Sequence, residues 1–200
     1  MRDDNLTNTR DRLISAMADA LQRRGFHGVG VNDILTEAQA PKGVLYHHFP
    51  GGKTELAVAA IGSAVTRMQT GLARLTETRT GLVEILETWF SAAQKQLEQS
   101  GFERGCPLAT VSLESTSEDL VLREALTSAF GEIRGQLAAL LMDAGVAAPR
   151  AQQLSALIVS AYEGALIQAR VSGNATPMRD TTAMLLALVR SELASKEGST

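Results

Sequence analysis

The chain has little of what several large classes of protein require. It holds one cysteine, Cys106, among 200 residues, so an internal disulfide is excluded. With only three histidines, it has no Cys/His set spaced for zinc. No run reaches the roughly 18 apolar residues of a membrane span, and the polar amino terminus lacks a signal-peptide core. We therefore expect a cytoplasmic protein with no metal, no cofactor and no membrane partner.

Catalytic and nucleotide-binding motifs are also missing. There is no H-E-x-x-H, no nucleophile elbow, and no carboxylate cluster outside the solvated run 114–119. Gly52-Lys53-Thr54 has the ending of a phosphate-binding loop, but His47 stands where its first glycine belongs. Gly28-Val29-Gly30 fails as a dinucleotide fingerprint because Asp33 occupies the place of the third glycine. We do not expect an enzyme.

The net charge of −3 is distributed unevenly along the chain. Residues 1–53 hold seven Lys/Arg and six Asp/Glu, whereas residues 54–200 hold twelve and sixteen. A compact DNA-binding module needs only a few well-placed cations, and an acidic remainder keeps other surfaces away from phosphates. The charge therefore permits DNA binding by the amino-terminal part without requiring it.

Apolar residues recur at helical spacing along most of the chain, and no strand pattern is convincing, which predicts an all-α fold. The predicted helices cover residues 8–24, 32–38, 41–49, 53–76, 80–99, 108–114, 150–171 and 177–194, with a further long helix capped by Ser117 and ending near Gly145. The fifth is expected to bury the only tryptophan, Trp89. The helix over 150–171 is apolar or small on nearly every side, which indicates a partner on each side and a second copy of the chain as one of them.

The stretch 41–53, P-K-G-V-L-Y-H-H-F-P-G-G-K, is the most distinctive part of the sequence. Leu45 and Phe49 lie four residues apart as a buried side, under a polar and aromatic surface. A short helix capped by Asn32 precedes it, and only Gln39 and Ala40 separate the two. Two short helices joined so tightly suggest a helix-turn-helix.

In a helix-turn-helix, the first residues of the second helix face base edges in the major groove of DNA. Later residues and the head of the next helix reach phosphates. The candidate DNA-contacting residues are Asn32, Lys42, Gly43, Val44, Tyr46, His47 and Lys53. Simpler interpretations remain open, since Tyr46 is equally compatible with a core aromatic, Lys53 with a solvated lysine and the pair His47-His48 with plain surface.

Helix one, the 31–38 helix, A-P-K-G-V-L-Y-H-H-F and Lys53 at the start of a fourth helix together resemble the TetR family of bacterial transcriptional repressors. The F-P-G-G-K variant and the segment 104–109, R-G-C-P-L-A, further resemble its LmrA/YxaF-like branch. The resemblance implies a DNA-binding domain over residues 1–53 and a ligand-binding and dimerisation domain over 54–200. It also implies a homodimer paired through the last two long helices on a near-palindromic operator, and release when a small inducer tilts the fourth helix.

Candidates for an inducer pocket are large aromatic and neighbouring side chains of the second domain: Trp89, Phe90, Phe102, Cys106, Phe130, Tyr162 and Gln168. Aromatic residues lining helices suit a small apolar or aromatic ligand, with Gln168, Tyr162 or Glu114 orienting it. A stripe of large aromatic side chains is more often plain core than a pocket lining, and that interpretation stays open for each of these residues. The alternative is an all-helical dimerisation protein, or a small-molecule-binding protein, that does not bind DNA.

Two features depart from the family pattern. Gln39 stands in the turn where a glycine is usual, so the turn is either left-handed, at a cost of about 1–2 kcal/mol, or shaped differently. One residue more than usual separates Phe49 from Lys53, which affects where the fourth helix begins and whether Lys53 reaches a phosphate.

Overall fold

The structure is a computed structural model that describes residues 2–79 and 81–197, and the side chains of residues 9–79 and 81–194. Its helices are α1 (Arg2–Arg24), α2 (Val31–Glu37), α3 (Val44–His48), α4 (Gly52–Thr78), α5 (Leu82–Gln99), α6 (Pro107–Glu114), α7 (Leu120–Asp143), α8 (Ala148–Ser172) and α9 (Thr176–Glu197). Every regular element in these ranges is an α-helix, which confirms the all-α prediction. No helix in the same ranges is long and apolar enough to cross a membrane.

Most helix ends follow local sequence signals, but the predicted cap of α7 is wrong. Helix α8 has Pro149 in its first turn and stops at Gly173, whose φ of 63° is left-handed. Helix α7 begins after Asp119 and not after Ser117: Arg123 N donates to Asp119 O at 2.9 Å. The Asp119 carboxylate also accepts from Thr116 N at 2.8 Å, which closes a turn ahead of the helix and leaves Ser117 outside the cap. Thr80, the predicted first residue of the fifth helix, lies outside the described residues.

Two compact units make up the chain. The first contains the residues up to Thr66 together with Cys106–Phe130, and its core lies between α1 and its neighbours α2 and α6. Fully buried side chains of this core are Leu13, Met17, Leu21, Ile34, Leu45, Phe49 and Leu56. Burying each such side chain contributes about 1.5–3 kcal/mol, so the short helices α2 and α3 depend on this packing. The predicted domain boundary at residue 53 stays a prediction, since the unit itself extends further and includes α6.

The second unit contains Arg67–Gly105 and the residues from Gly131 onward, with boundaries inside α4 and α7. Helix α9 packs against α8 and α5, and Arg150 on α8 forms an ion pair with Glu192 on α9. The buried side of α8 carries Ala151, Leu154, Ile158, Leu166 and Ala169. Apolar side chains of α8 also point away from this core, with Val171 84% and Leu157 47% exposed. The two-sided apolar character predicted for α8 is therefore present in the single chain.

Candidate nucleic-acid interface

Helix α3 has one buried side and one exposed side. Leu45 and Phe49 are each 1% exposed and fix the helix on the core of the first unit. Tyr46, in contrast, is 61% exposed, and Lys42 and His47 are exposed as well. The helix thus displays an aromatic hydroxyl and an imidazole on a buried base, and the turn before it displays the ammonium group of Lys42, a combination suited to a polyanionic surface.

The turn before α3 is longer than the sequence indicated. We expected the helix to start at Pro41, but it starts at Val44, and that prediction was wrong. Gly43 adopts a left-handed φ of 92°, and Val44 N donates to Pro41 O at 3.2 Å, so residues 41–43 form a turn. A side chain at Gly43 would meet nothing within 4 Å, so the glycine is required by its φ and not by space. Lys42 and Gly43 therefore lie just ahead of the helix, with Val44 as its half-buried first residue.

The connection between α2 and α3 is left-handed at Gln39, whose φ is 49°. Gln39 N donates to Thr36 O at 3.1 Å and Ala40 N donates to Leu35 O at 2.9 Å. These are the two hydrogen bonds of a Schellman motif, which normally places glycine at this position. The sequence left open whether this turn is left-handed or shaped differently. It is left-handed, although Gln39 carries a side chain.

Asn32 lies on the exposed surface of α2, in its first turn. The sequence predicted it as the helix cap, and this is wrong: α2 begins at Val31 after Gly30. Gly30 N donates to the Asp33 carboxylate at 3.2 Å, so Asp33 performs the capping. The Asn32 side chain is therefore not needed as a cap, and its contact with DNA stays a prediction.

The additional glycine before Lys53 makes room for Tyr46. Gly52 opens α4 with a left-handed φ of 68°, and a Cβ atom there would lie 3.2 Å from Cε1 of Tyr46. Gly51 N donates to the Glu55 carboxylate at 2.7 Å, which holds the start of the helix. The tyrosine ring thus rests against the backbone at the head of α4 while most of its surface stays open.

Lys53 is directed toward the connection between α1 and α2. Its Nζ donates to the carbonyl oxygen of Phe26 at 2.6 Å and lies 4.2 Å from the centre of the Phe26 ring. Burial lowers the pKa of Lys53, and the negative charge of Glu114 partly restores it. The phosphate contact of Lys53 stays a prediction, and in this conformation its ammonium group fastens the head of α4 to the first unit.

Arg10 on α1 lies beside Phe49, at the end of α3, although no sequence pattern pointed to it. Its guanidinium carbon is 5.2 Å from the centre of the Phe49 ring. The neighbouring His48 has a buried Nε2 with no hydrogen-bond partner among the described residues. Burial lowers the pKa of His48, and the charges of His47 and Arg10 lower it further, which keeps the ring neutral at pH 7. No local spacing relates residues 10 and 49, so only the fold brings them together.

Three of the predicted pocket residues form one aromatic cluster in the second unit. The Trp89 ring is 5.4 Å from that of Phe90 and 5.7 Å from that of Tyr162, and Phe90 lies 5.8 Å from Tyr162. Phe90 is buried, whereas Trp89 and Tyr162 are half-buried. The expectation that α5 buries its tryptophan is therefore correct only in part, because one side of the indole remains accessible.

The other four predicted pocket residues are not part of this cluster. Phe102 follows Gly101 in a left-handed conformation with φ of 64°. Gln168 is exposed, and its Nε2 donates to Gly164 O on the same helix at 3.3 Å, so it is not the buried polar group that the sequence suggested. Cys106 and Phe130 belong to the first unit. Their roles in ligand binding stay predictions.

Within its described ranges the chain is built only from helices, and the tight turn between α2 and α3 on a buried base gives it the architecture of a helix-turn-helix protein. Two family models match it: residues 13–60 fit the bacterial regulatory proteins of the tetR family. Residues 83–184 fit the carboxy-terminal domain of LmrA/YxaF-like transcriptional regulators. The chain belongs to the TetR family, which confirms the resemblance stated above.

Related regulators align with this chain over most of its length. An uncharacterized HTH-type transcriptional regulator of Mycobacterium tuberculosis is 31% identical over 194 residues, covering 94% of this chain and 97% of that protein. The HTH-type regulator LmrA of Bacillus subtilis is 29% identical, covering 86% and 91%. The transcriptional repressor NemR of Escherichia coli is 26% identical, covering 88% and 91%. A crystal structure of a TetR regulatory protein from Rhodobacter sphaeroides superposes with a TM-score of 0.79 at 24% identity, covering 88% and 96%, and supports the fold.

Proposed function

We propose that this regulator is a ligand-responsive repressor that binds a near-palindromic operator as a homodimer. The observation that carries the proposal is the exposed face of α3 and the turn before it, formed by Lys42, Tyr46 and His47 above the buried Leu45 and Phe49. These three side chains place an ammonium group, a phenol hydroxyl and an imidazole on and just before a helix of five residues, where all three can donate to a polyanion. Family membership favours DNA binding over a purely structural or ligand-binding protein.

In the proposed complex, the part of the DNA that a residue contacts depends on its distance from the start of α3. Lys42, Gly43 and Val44 face base edges in the major groove, with the lysine directed to a guanine edge or a phosphate. Tyr46 and His47, one turn further, donate to phosphate oxygens, joined by Asn32 from α2 and by Lys53 if it leaves Phe26. In this proposal residues 1–53 bind DNA and residues 54–200 bind the ligand and pair two chains. DNA binding also places the protein in the cytoplasm, with the genome.

The proposed dimer interface is the outer side of α8 and α9. Leu157, Ile167, Val171 and Met184 are all large apolar residues that a single chain leaves exposed. Monomeric proteins seldom leave so many on neighbouring helices, and two-fold pairing of these faces would bury them in a four-helix bundle. A dimer would present two recognition helices about 34 Å apart, which is one turn of DNA.

The proposed inducer is a small apolar or aromatic molecule that binds at the Trp89-Phe90-Tyr162 cluster. The half-buried indole and phenol rings offer faces for stacking, and the phenol hydroxyl offers one polar handle. The naming of NemR as a repressor supports a repressing role for this chain. Binding near the only tryptophan should change its fluorescence, which gives a direct assay for candidate ligands.

The test of DNA recognition measures affinity for a duplex selected by the wild-type protein from a random library. Lys42→Ala and Tyr46→Ala should each weaken binding about tenfold or more, because each removes a contact worth roughly 1–3 kcal/mol. Lys95→Ala and Leu113→Ala remove an exposed lysine and an exposed apolar side chain elsewhere and should leave affinity unchanged. Wild-type affinity in both α3-surface variants would contradict the proposed surface.

A further inference from the structure

The last residue of α6, Glu114, contacts the connection between α1 and α2. Its Oε2 accepts a hydrogen bond from the backbone N of His27 at 2.9 Å. The connection runs from Gly25 to Gly30 and determines where α2, the first helix of the helix-turn-helix, begins. A carboxylate 87 residues away in the chain therefore holds the backbone that leads into the DNA-binding motif.

Gly25 is shaped to receive this carboxylate. Gly25 is buried and left-handed, with φ of 72°, and a Cβ atom there would lie 1.8 Å from Oε1 and 2.3 Å from Cδ of Glu114. The carboxylate thus occupies the space that a side chain would need. Because the far end of Glu114 is flexible, a side chain at position 25 would push the carboxylate out of its place, and it would also strain the left-handed backbone of Gly25.

A second charged side chain, Lys53, holds Phe26, the residue between Gly25 and His27. Lys53, at the head of α4, donates to the carbonyl oxygen of Phe26, and the negative charge of Glu114 attracts it. Glu114 therefore holds Gly25 and His27, and Lys53 holds Phe26 between them. The arrangement joins the ends of three helices, α1, α4 and α6, at a connection that has no regular structure of its own.

We propose that Glu114 is a positioning residue for operator binding, which acts through His27 and Gly25 to hold α2 and α3 at the angle that the groove requires. The proposal rests on the proposed function and adds a residue to it. It also predicts an effect opposite in sign to simple electrostatics. Removing a carboxylate from the first unit should strengthen attraction to DNA, whereas loss of a positioning contact should weaken binding.

The experiment compares Glu114→Ala with Glu118→Ala, which removes an exposed carboxylate four residues away. Affinity for the duplex selected by the wild-type protein is measured over a range of salt concentrations. Glu114→Ala should weaken binding about tenfold, the effect of losing a hydrogen bond to a charged group, and Glu118→Ala should not weaken it. The salt dependence should be the same in both, because neither variant removes a phosphate contact.

Two further variants keep the test decisive if Glu114→Ala fails to fold, as judged by circular dichroism. Glu114→Asp keeps the charge but is one methylene shorter, and it should weaken binding at least threefold because it no longer reaches His27 N. Gly25→Ala should weaken binding by displacing the carboxylate. In the double variant Gly25→Ala with Glu114→Asp, the combined loss should be smaller than the sum of the two single losses, because both changes remove the same contact.

The outcomes distinguish the two proposals. If the wild-type protein selects no DNA sequence, the proposed function fails and this inference fails with it. If the wild-type protein binds its selected duplex and folded Glu114 variants bind it as tightly as Glu118→Ala does, only the inference is overturned. Additive losses in the double variant would likewise overturn it, since they would show that Gly25 and Glu114 act separately.

Discussion

Gln39 shows how a single residue can carry a conformation that its side chain disfavours. Its left-handed φ of 49° satisfies the last carbonyl groups of α2 through Gln39 N and Ala40 N, and the chain then turns directly into the segment before α3. The side chain is exposed, so it contributes no packing that would offset the strain. The geometry of the helix-turn-helix therefore outweighs the preference of the residue.

We predict that Gln39→Gly stabilises the protein by about 1 kcal/mol, because glycine adopts this φ without a steric cost. The melting temperature measured by circular dichroism should rise by roughly 2–4 °C for a chain of this size. Ala40→Gly is the matched control, since Ala40 has no left-handed φ and glycine there only increases the freedom of the unfolded chain. A melting temperature that falls with Gln39→Gly would show that the turn is not strained.

Lys53 shows that the sequence can predict the position of a charged side chain without predicting its partner. The sequence correctly identified it as the cation near the head of α4, but the partner of that cation is the Phe26 carbonyl, 27 positions away. Glu114 was predicted as a ligand-orienting group, which stays a prediction, and its carboxylate accepts a hydrogen bond from His27 N, 87 positions away. Such pairings depend on how α1, α4 and α6 pack together, and neither helical periodicity nor charge contains that information.

At the scale of single elements, the start of α7 depends on one carboxylate. Asp119 accepts hydrogen bonds from Thr116 N at 2.8 Å and Thr116 Oγ1 at 2.9 Å, and its Oδ2 lies 3.9 Å from His27 Nε2. The two hydrogen bonds from Thr116 lower the pKa of Asp119, and His27 lowers it slightly more. The carboxylate therefore loses its proton more readily in the folded chain than in the unfolded one.

This pKa shift predicts a pH dependence with a definite sign. Ionised Asp119 stabilises the fold at pH values above its unfolded pKa of about 4, and this contribution is lost as the pH falls through the lower folded pKa. Asp119→Asn should therefore unfold at a lower urea concentration than wild type at pH 7, with the difference shrinking as the pH falls below about 4. Glu118→Gln, at the neighbouring exposed carboxylate, should show no such trend. A difference that persists unchanged at pH 3 would refute the assignment.

Helix α3 shows what periodicity can and cannot predict for an element. The spacing of Leu45 and Phe49 predicted its buried side correctly, because both side chains pack on the first unit. The start of the helix was misplaced because Pro41 is a common first residue of helices, whereas the left-handed Gly43 delays the helix to Val44. Glycine conformations are set by the surrounding turn, and the residue type alone does not reveal them.

At the scale of the whole molecule, the outer faces of α8 and α9 make the strongest prediction about assembly. Leu157→Glu or Met184→Glu should convert a dimer to monomers at micromolar concentration in analytical ultracentrifugation. A carboxylate buried without a partner in an apolar interface costs several kcal/mol, which raises the dissociation constant at least about 100-fold. Leu113→Glu, at an exposed apolar residue of the first unit, is the control and should remain dimeric. Dimers in all three variants would place the interface elsewhere.

The sequence predicted the architecture better than it predicted the grouping of helices. Apolar periodicity identified the helical fold, and the first three helices with Lys53 identified the TetR family. The F-P-G-G-K variant and the segment 104–109 identified its LmrA/YxaF-like branch. It did not indicate that Cys106–Phe130 joins the amino-terminal helices in one compact unit. Contacts between segments so far apart depend on tertiary packing, which local patterns do not encode.

The central claim is that α3 and the turn before it read DNA in a two-fold symmetric dimer. Parallel selection of random duplexes by the wild-type protein and by Lys42→Ala tests it most directly. We predict that the wild-type protein selects an inverted repeat with half-sites about one helical turn apart. Lys42→Ala should lose the base preference at the same position of both half-sites. A motif without inverted symmetry, or an identical motif for both proteins, would contradict the claim.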